Sequence, residues 1–176
     1  ALPICILAAE GQYVCFLDSD DIWYPSRLML LAEEVLKEPN LCFYSDYDFI
    51  GENSKVLKHI SAPKRVDLKS MLRLCGVGCL TVAIPRHILE VNLLSETCPK
   101  EDYELWLRLM LNGVRFQKID YNCGGYRIQK GSLSSNKVIE FRRQWYVVGL
   151  YEARFSARVW NMFCYATHGV LRHYFK

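Results

Sequence analysis

Apolar residues along the chain form two kinds of pattern, which are short continuous runs and longer stretches with helical spacing. Residues 13–17 form a continuous run with β-branched and aromatic members, which is typical of a strand buried on both faces. After Pro25, apolar residues recur every three or four positions until Pro39, so a helix is predicted between the two prolines. The acidic residues 18–21 lie between these elements, and the predicted order is strand, acidic loop and helix.

The same alternation of strand and helix patterns continues along the chain, and the last forty residues are helical and aromatic. The predicted elements after residue 40 are strands at 41–50 and 56–57, a helix capped by Asp67, a strand at 80–84, a helix from Pro85 to 94, a helix from Pro99 to Asn112, strands at 115–121 and 125–128, and a polar loop at 129–135. Strands that alternate with helices predict an α/β domain with a mostly parallel sheet flanked by helices. Ligands of such sheets gather at the carboxyl ends of strands, where residues 18–21 are expected to lie.

Composition narrows the class of protein. With 176 residues, of which 51% are hydrophobic and 23% charged, the chain fits one globular domain and is not disordered. A net charge of +3 is too small for the concentrated basic face of a nucleic-acid binder, so no nucleic-acid partner is expected. No charge-free apolar stretch of roughly 18 residues occurs, so no segment is expected to span a bilayer. The eight cysteines form no CxxC pair and mostly stand in apolar runs, which favours reduced thiols in the cytoplasm.

Three carboxylates, those of Asp18, Asp20 and Asp21, follow the first predicted strand. Like charges at such spacing raise one another's pKa unless a cation lies among them, and oxygen ligands in an open loop suit Mg²⁺ or Mn²⁺. An acidic N-cap or a solvated turn explains the spacing equally well. An EF-hand loop is excluded because Ile22 and Trp23 occupy the positions of its fifth ligand and its glycine. A phosphohydrolase with Asp18 as nucleophile is disfavoured because Gly-Thr does not follow Asp20.

A second acidic pair, Glu101 and Asp102, stands at the predicted start of a helix. The positive end of the helix dipole stabilises the ionised form of carboxylates at this position. One interpretation is a capping carboxylate beside a surface acid, and the other is a general base within reach of a substrate proton. The pattern alone does not choose between them.

Several segments together resemble family 2 inverting glycosyltransferases, which have the GT-A fold. Residues 11–28 resemble the metal-binding segment of that family, with the sequence Gly-Gln-Tyr-Val-Cys-Phe-Leu-Asp-Ser-Asp-Asp-Ile-Trp-Tyr-Pro-Ser-Arg-Leu. The order continues with Tyr-Ser-Asp at 44–46, a segment at 76–86, Lys-Glu-Asp-Tyr-Glu-Leu-Trp-Leu-Arg-Leu at 100–109, and Tyr-Arg-Ile-Gln-Lys-Gly-Ser-Leu-Ser at 126–134. The resemblance covers roughly residues 8–140. It implies an α/β, GT-A-like (Rossmann-like) fold with a partial glycosyltransferase domain over 1–140 and a helical basic tail over 141–176.

The resemblance also implies roles for the acidic residues. The family's DXD motif falls on residues 18–20, so Asp20 is expected to ligate Mn²⁺ or Mg²⁺ on the donor diphosphate, and Asp18 to contact the ribose or the metal's waters. The family's Glu-Asp pair falls on Glu101 and Asp102, which makes Asp102 the expected base.

Three further side chains are expected near the substrates. By the resemblance, Trp106 shapes the acceptor pocket, although its helical spacing fits a core position equally well. Arg127 and Lys130 are expected to contact phosphate, with a solvated basic loop as the alternative.

The resemblance implies an enzyme that transfers a sugar from a nucleotide-sugar donor to an acceptor hydroxyl with inversion, in bacterial surface polysaccharide biosynthesis. UDP is the expected nucleotide because it is the family's commonest carrier, and the acceptor is a sugar or a lipid-linked sugar. The Arg-Gln-Trp at 143–145 does not reproduce the Gln-x-x-Arg-Trp motif of the processive members, so transfer of a single sugar is expected.

Two expectations concern the ends of the chain. Residues 1–10 do not match the family's nucleoside-binding segment, so we expect an N-terminally truncated domain that is weakly active alone, or a non-catalytic remnant that at most binds a partner subunit. In residues 141–176, six Arg and Lys side chains stand against the single carboxylate of Glu152. These amphipathic helices can rest on anionic lipid at the inner face of the cell membrane, or pack on the domain.

Overall fold

The computed structural model describes residues 2–129 and 136–174. Its helices are α1 Leu2–Ala8, α2 Arg27–Lys37, α3 Leu68–Leu74, α4 Arg86–Glu90, α5 Glu101–Leu111, α6 Lys137–Tyr151 and α7 Phe155–Tyr174. Its strands are β1 Tyr13–Cys15, β2 Ile22–Trp23, β3 Cys42–Ile50, β4 Val56–Ile60, β5 Ala83–Pro85 and β6 Phe116–Arg127, and a 3₁₀ turn spans Cys79–Thr81. The predicted order of strand, acidic loop and helix is confirmed by β1, residues 18–21 and α2.

The described strands form one mixed sheet in the order β1-β5-β3-β6-β2, with β4 paired to β3. The α/β class with flanking helices is confirmed, but the expectation of a mostly parallel sheet is wrong. Only β3 and β6 are parallel among these strands, and the pairs β1–β5, β3–β5, β3–β4 and β2–β6 are antiparallel. An apolar run indicates burial but carries no information on strand direction, which depends on partners far along the chain. The residues of β1 are only half-buried, so its predicted burial on both faces is also wrong.

Several predicted segments differ in their extent, among them the helix expected to end at 94, which ends at Glu90, and the strand expected at 56–57, which extends to Ile60. The strands expected at 115–121 and 125–128 are one strand, β6, because Gly124 and Gly125 continue its pairing with β2. A side chain at Gly124 would meet the carbonyl oxygen of Ile22 at 2.1 Å, so this close approach of two strands requires glycine. The strand expected at 80–84 is divided into the 3₁₀ turn and the short β5.

Helix α5 carries the largest share of the buried side chains near the acidic loop. Trp106 is fully buried, and its ring lies 5.6 Å from that of Phe16 and 6.2 Å from that of Phe116, measured between centroids. The helix ends where Gly113 adopts a φ of +82°, a left-handed conformation that favours glycine. The predicted end at residues 112–113 is therefore confirmed.

The C-terminal helices share this core. Val147 and Val148 of α6 and Met162 of α7 are buried in the same cluster as Trp106. The boundary expected at residue 140 therefore falls within one continuous core, and the inner faces of both helices pack on the domain.

Candidate functional site

The acidic loop between β1 and β2 is held at both ends by the sheet. The strand β1 pairs with β5, and β2 pairs with β6 through Ile22 and Trp23. Asp18 and Asp20 are exposed in this loop, and the side-chain amide of Gln129 donates to the Asp20 carboxylate at 3.3 Å. Burial raises the pKa of Asp18, and the charges of Asp20 and Glu101 raise it further.

Asp21, the third acid of the loop, has a different position. It is only 8% exposed, and its carboxylate accepts a hydrogen bond from the backbone N–H of Arg127 at 2.8 Å. Burial raises the pKa of Asp21 to about 6, against the effect of that hydrogen bond. Asp21 therefore ties the loop to the end of β6, a role that the sequence analysis missed because its partner is a backbone group.

Arg127 fastens the acidic loop to the turn between β3 and β4. Its Nε donates to the backbone carbonyl of Asp20 at 2.6 Å, and its Nη1 donates to the carbonyls of Gly51 and Glu52 at 2.7 and 2.9 Å. Its Nη2 donates to Ser54 Oγ at 3.1 Å. The Arg127 guanidinium is thus bound by groups of the protein. It is not free to bind phosphate, and it does not lie in a solvated loop. Lys130, the other expected phosphate contact, lies outside the described residues.

Replacing Arg127 by Lys is expected to lower the free energy of unfolding by about 1–3 kcal/mol, because an ammonium cannot reproduce the fork of hydrogen bonds that the guanidinium makes. Urea denaturation of both proteins measures the difference. The control is Arg65→Lys, a change at an exposed side chain away from the loop. Equal stability of the Arg127 variant and the parent chain would contradict this role.

The Glu101–Asp102 pair occupies the first turn of α5. The Asp102 carboxylate accepts the backbone N–H of Tyr103 at 2.7 Å. Burial raises the pKa of Asp102, the Tyr103 hydrogen bond and the Lys100 ammonium lower it, and the charges of Glu101 and Asp18 raise it again. Since the charge of Asp18 raises the pKa of Asp102 and the charge of Glu101 raises the pKa of Asp18, the fold brings the acidic loop and the start of α5 near each other.

Cys79 also faces this group of acids. Burial raises the pKa of its thiol well above the ordinary value, and the charges of Asp102, Asp18, Glu101 and Asp21 add to the effect. The thiol is therefore uncharged at neutral pH and is not an activated nucleophile. In the sequence, only apolar neighbours accompany Cys79, and nothing there indicates that it lies near the acids of the candidate site.

The acidic side chains of this site suit a metal ion that takes some of its ligands from the protein and the others from a substrate. Among residues 2–129 and 136–174, no three His, Cys, Asp or Glu side chains converge to hold an ion by themselves. Mg²⁺ and Mn²⁺ commonly use one or two carboxylates and complete their shell with water and substrate phosphate. Asp18 and Asp20 are exposed oxygen donors separated by one residue, and the charge of Asp20 raises the pKa of Asp18, so such an ion fits here.

Trp106 does not lie at this surface. It has no exposed area and packs between Phe16 and Phe116, so the core alternative describes its position and it cannot line an acceptor pocket. Its neighbour Glu104 is also structural, because its carboxylate accepts from Tyr151 at 2.6 Å and from Arg108 at 3.1 Å.

The comparisons with known proteins agree on one family. The model of glycosyl transferase family 2 matches residues 1–173. The chain is 37% identical over 169 residues to an Escherichia coli protein, UDP-Glc:alpha-D-GlcNAc-diphosphoundecaprenol beta-1,3-glucosyltransferase WfgD, covering 95% of this chain and 66% of that protein. It is 29% identical to the putative teichuronic acid biosynthesis glycosyltransferase TuaG of Bacillus subtilis, covering 92% of this chain and 65% of that protein. The chain thus spans about two thirds of the length of these relatives.

The fold also matches a solved structure. The first 349 residues of S. aureus TarS, in complex with UDP-GlcNAc, superpose with a TM-score of 0.59 at 18% identity. The match covers 82% of this chain and 44% of that chain. At this identity the likeness confirms the GT-A fold and says nothing of the substrates.

Proposed function

The chain belongs to glycosyl transferase family 2, and from that premise we propose that it transfers a single sugar from a nucleotide-sugar donor to an acceptor hydroxyl with inversion. The observation that carries the proposal is that the acidic loop and the start of α5 lie near enough for the charge of Asp18 to raise the pKa of Asp102 and for the charge of Glu101 to raise the pKa of Asp18. A metal and diphosphate subsite then lies beside a carboxylate with a raised pKa. Displacement of a nucleoside diphosphate by a hydroxyl requires both of these, a metal to bind the diphosphate and a base to accept the hydroxyl proton.

We propose UDP-glucose as the first donor to test and a lipid-linked sugar diphosphate as the acceptor. Two E. coli relatives, WfgD at 37% identity and WfaP at 30%, are both named UDP-Glc:alpha-D-GlcNAc-diphosphoundecaprenol beta-1,3-glucosyltransferases. A role in bacterial surface polysaccharide biosynthesis is supported by TuaG, a putative teichuronic acid biosynthesis glycosyltransferase, and by WfgD, which is named for a diphosphoundecaprenol-linked acceptor.

In this proposal Asp20, with Asp18, holds Mn²⁺ or Mg²⁺. When bound, the metal neutralises charge on the leaving diphosphate. Asp102 accepts the proton of the acceptor hydroxyl, whose oxygen attacks the anomeric carbon from the face opposite the diphosphate and inverts its configuration. Because burial raises the pKa of Asp102, its carboxylate is a stronger base than an exposed Asp.

We place the reaction at the inner face of the cell membrane, where nucleotide sugars and a lipid-linked acceptor meet. Among the helices of the described residues, none has the length and apolar character needed to cross a membrane.

Calorimetric titration of UDP into the 176-residue chain with Mn²⁺ tests the proposal. We expect binding that is lost without Mn²⁺ and weakened at least about 10-fold by Asp20→Ala, because the carboxylate supplies a charged metal ligand. Glu96→Ala, which removes an exposed carboxylate far from the loop in sequence, is the matched control. A folded parent chain that binds no UDP with Mn²⁺ would overturn the proposal and favour a non-catalytic protein that at most binds a partner subunit. Phosphate release without a sugar acceptor would instead favour a phosphohydrolase with Asp18 as nucleophile.

A further inference from the structure

The outer faces of α6 and α7 carry a band of apolar side chains, of which only Trp145 also packs against the core. The band residues are Val138, Phe141, Trp145, Phe155, Val159, Trp160 and Phe163, all exposed apart from the half-buried Trp145. The two helices join where the rings of Trp145 and Phe155 lie 6.1 Å apart between centroids. On α7, the rings of Trp160 and Phe163 stack at 5.7 Å.

The spacing of these residues places them on one side of each helix. On α6 they are three and four positions apart, and on α7 they are four apart with Trp160 beside Val159, which is the spacing of one helix face. Other residues of the same helices, Val147, Val148 and Met162, are buried in the core. The apolar band is therefore a second, outward face on helices whose inner faces are already packed.

A cavity of about 610 Å³ lies on the α6 part of the band and is lined by Lys137, Val138, Phe141, Arg142 and Trp145. None of the acids of the candidate site lines it. An apolar floor with two cations at its rim suits a ligand that has both a hydrocarbon part and an anionic part.

The charges around the band are cationic without matching carboxylates. The two acids of α6 and the loop after it are already paired, Glu140 with Lys100 at 2.8 Å and Glu152 with Arg154 at 3.2 Å. Within the described part of the chain, Lys137, Arg142 and Arg143 form no ion pair. Two copies joined through this band would bring these cations together, and the resulting repulsion disfavours a dimer as the occupant.

We propose that the band is a membrane-docking face that takes anionic phospholipid. Its rings and aliphatic side chains enter the boundary between headgroups and acyl chains, while Lys137 and Arg142, which line the cavity, pair with lipid phosphates. Only the biological role of this face rests on the proposed function, because the face would hold the enzyme beside a lipid-linked acceptor.

Co-sedimentation with vesicles tests the proposal. We expect the 176-residue chain to bind vesicles of phosphatidylcholine with phosphatidylglycerol, to bind pure phosphatidylcholine at least about 10-fold more weakly, and to be released by salt. The double change Trp160→Ser and Phe163→Ser, and separately the double change Lys137→Gln and Arg142→Gln, should each weaken binding about 10-fold or more. Val91→Ser is the matched control, because Val91 is 80% exposed and lies outside the band.

Two outcomes would overturn the docking face. One is equal binding of both vesicle types by all variants, and the other is a concentration-dependent dimer that the band variants abolish while vesicle binding stays absent. UDP binding with Mn²⁺, measured on the same proteins, separates this proposal from the preceding one. If the chain binds vesicles, the band variants weaken that binding and no UDP is bound, the docking face is supported and the glycosyl transfer is rejected. UDP binding in a chain that ignores vesicles does the reverse.

Discussion

Replacing Asp102 by Asn is expected to lower the rate of sugar transfer by roughly 10²–10⁴-fold, the usual contribution of a general base. Asn cannot accept the acceptor's proton, but its side-chain oxygen can still accept the backbone N–H of Tyr103, which the Asp102 carboxylate accepts at 2.7 Å. The local structure should therefore persist. Initial rates with UDP-glucose and a lipid-linked acceptor measure the effect, with Asp120→Asn, a change at an exposed carboxylate, as the control.

The pH dependence of the parent chain gives an independent check. A base works when ionised, so activity is present above the pKa of Asp102 and is lost as the pH falls through it. Because burial raises that pKa, the acidic limb of kcat/KM should lie above the ordinary range of an Asp. A carboxyl group whose pKa is raised in the folded protein destabilises the fold when it is ionised at neutral pH. Asp102→Asn removes that charge and should therefore raise the free energy of unfolding slightly. A variant that loses both activity and stability would point to a structural role instead.

The local features of the fold could be predicted from the sequence because neighbouring residues determine them. Asp67 caps α3 as expected, and its carboxylate accepts the backbone N–H of Ser70 at 2.7 Å. The ends of α5 follow in the same way from the acids of its first turn and from Gly113. The direction of the strands could not be predicted in this way. Strand β1 finds its antiparallel partner β5 some seventy residues later, and nothing within residues 13–17 encodes that choice.

The acids of the candidate site were found by resemblance, whereas their surroundings were not. The side chain of Arg127 reaches three backbone carbonyls, at Asp20, Gly51 and Glu52. Backbone acceptors leave no mark in the sequence, so a phosphate contact was the natural expectation for an arginine in that segment. For Trp106 the sequence left two positions open, because helical spacing fits a core residue and a pocket residue alike. Only the fold distinguishes between them.

Lys100→Met is expected to lower the free energy of unfolding by about 2–4 kcal/mol, because it leaves a half-buried carboxylate and a buried amide without their cation. The Lys100 ammonium lies 2.8 Å from Glu140 Oε1 and donates to Gln144 Oε1 at 2.8 Å. It also lies over the rings of Tyr103 and Tyr165, at 5.2 and 5.5 Å from their centroids. One side chain at the start of α5 thus joins this helix to both C-terminal helices. Urea denaturation measures the loss.

The same substitution should also move the pH profile, which a purely structural effect would leave in place. Lys100 lowers the pKa of Asp102, against the effects of Glu101 and Asp18, so without its charge that pKa rises and the acidic limb of kcat/KM moves to higher pH. Lys100→Arg keeps the charge and should keep the limb close to that of the parent chain even where stability falls. Lys64→Met, at an exposed side chain, controls for the loss of a positive charge as such. If Lys100→Met and Lys100→Arg shift the limb equally, packing at the start of α5 and not the charge of Lys100 sets the ionisation of Asp102.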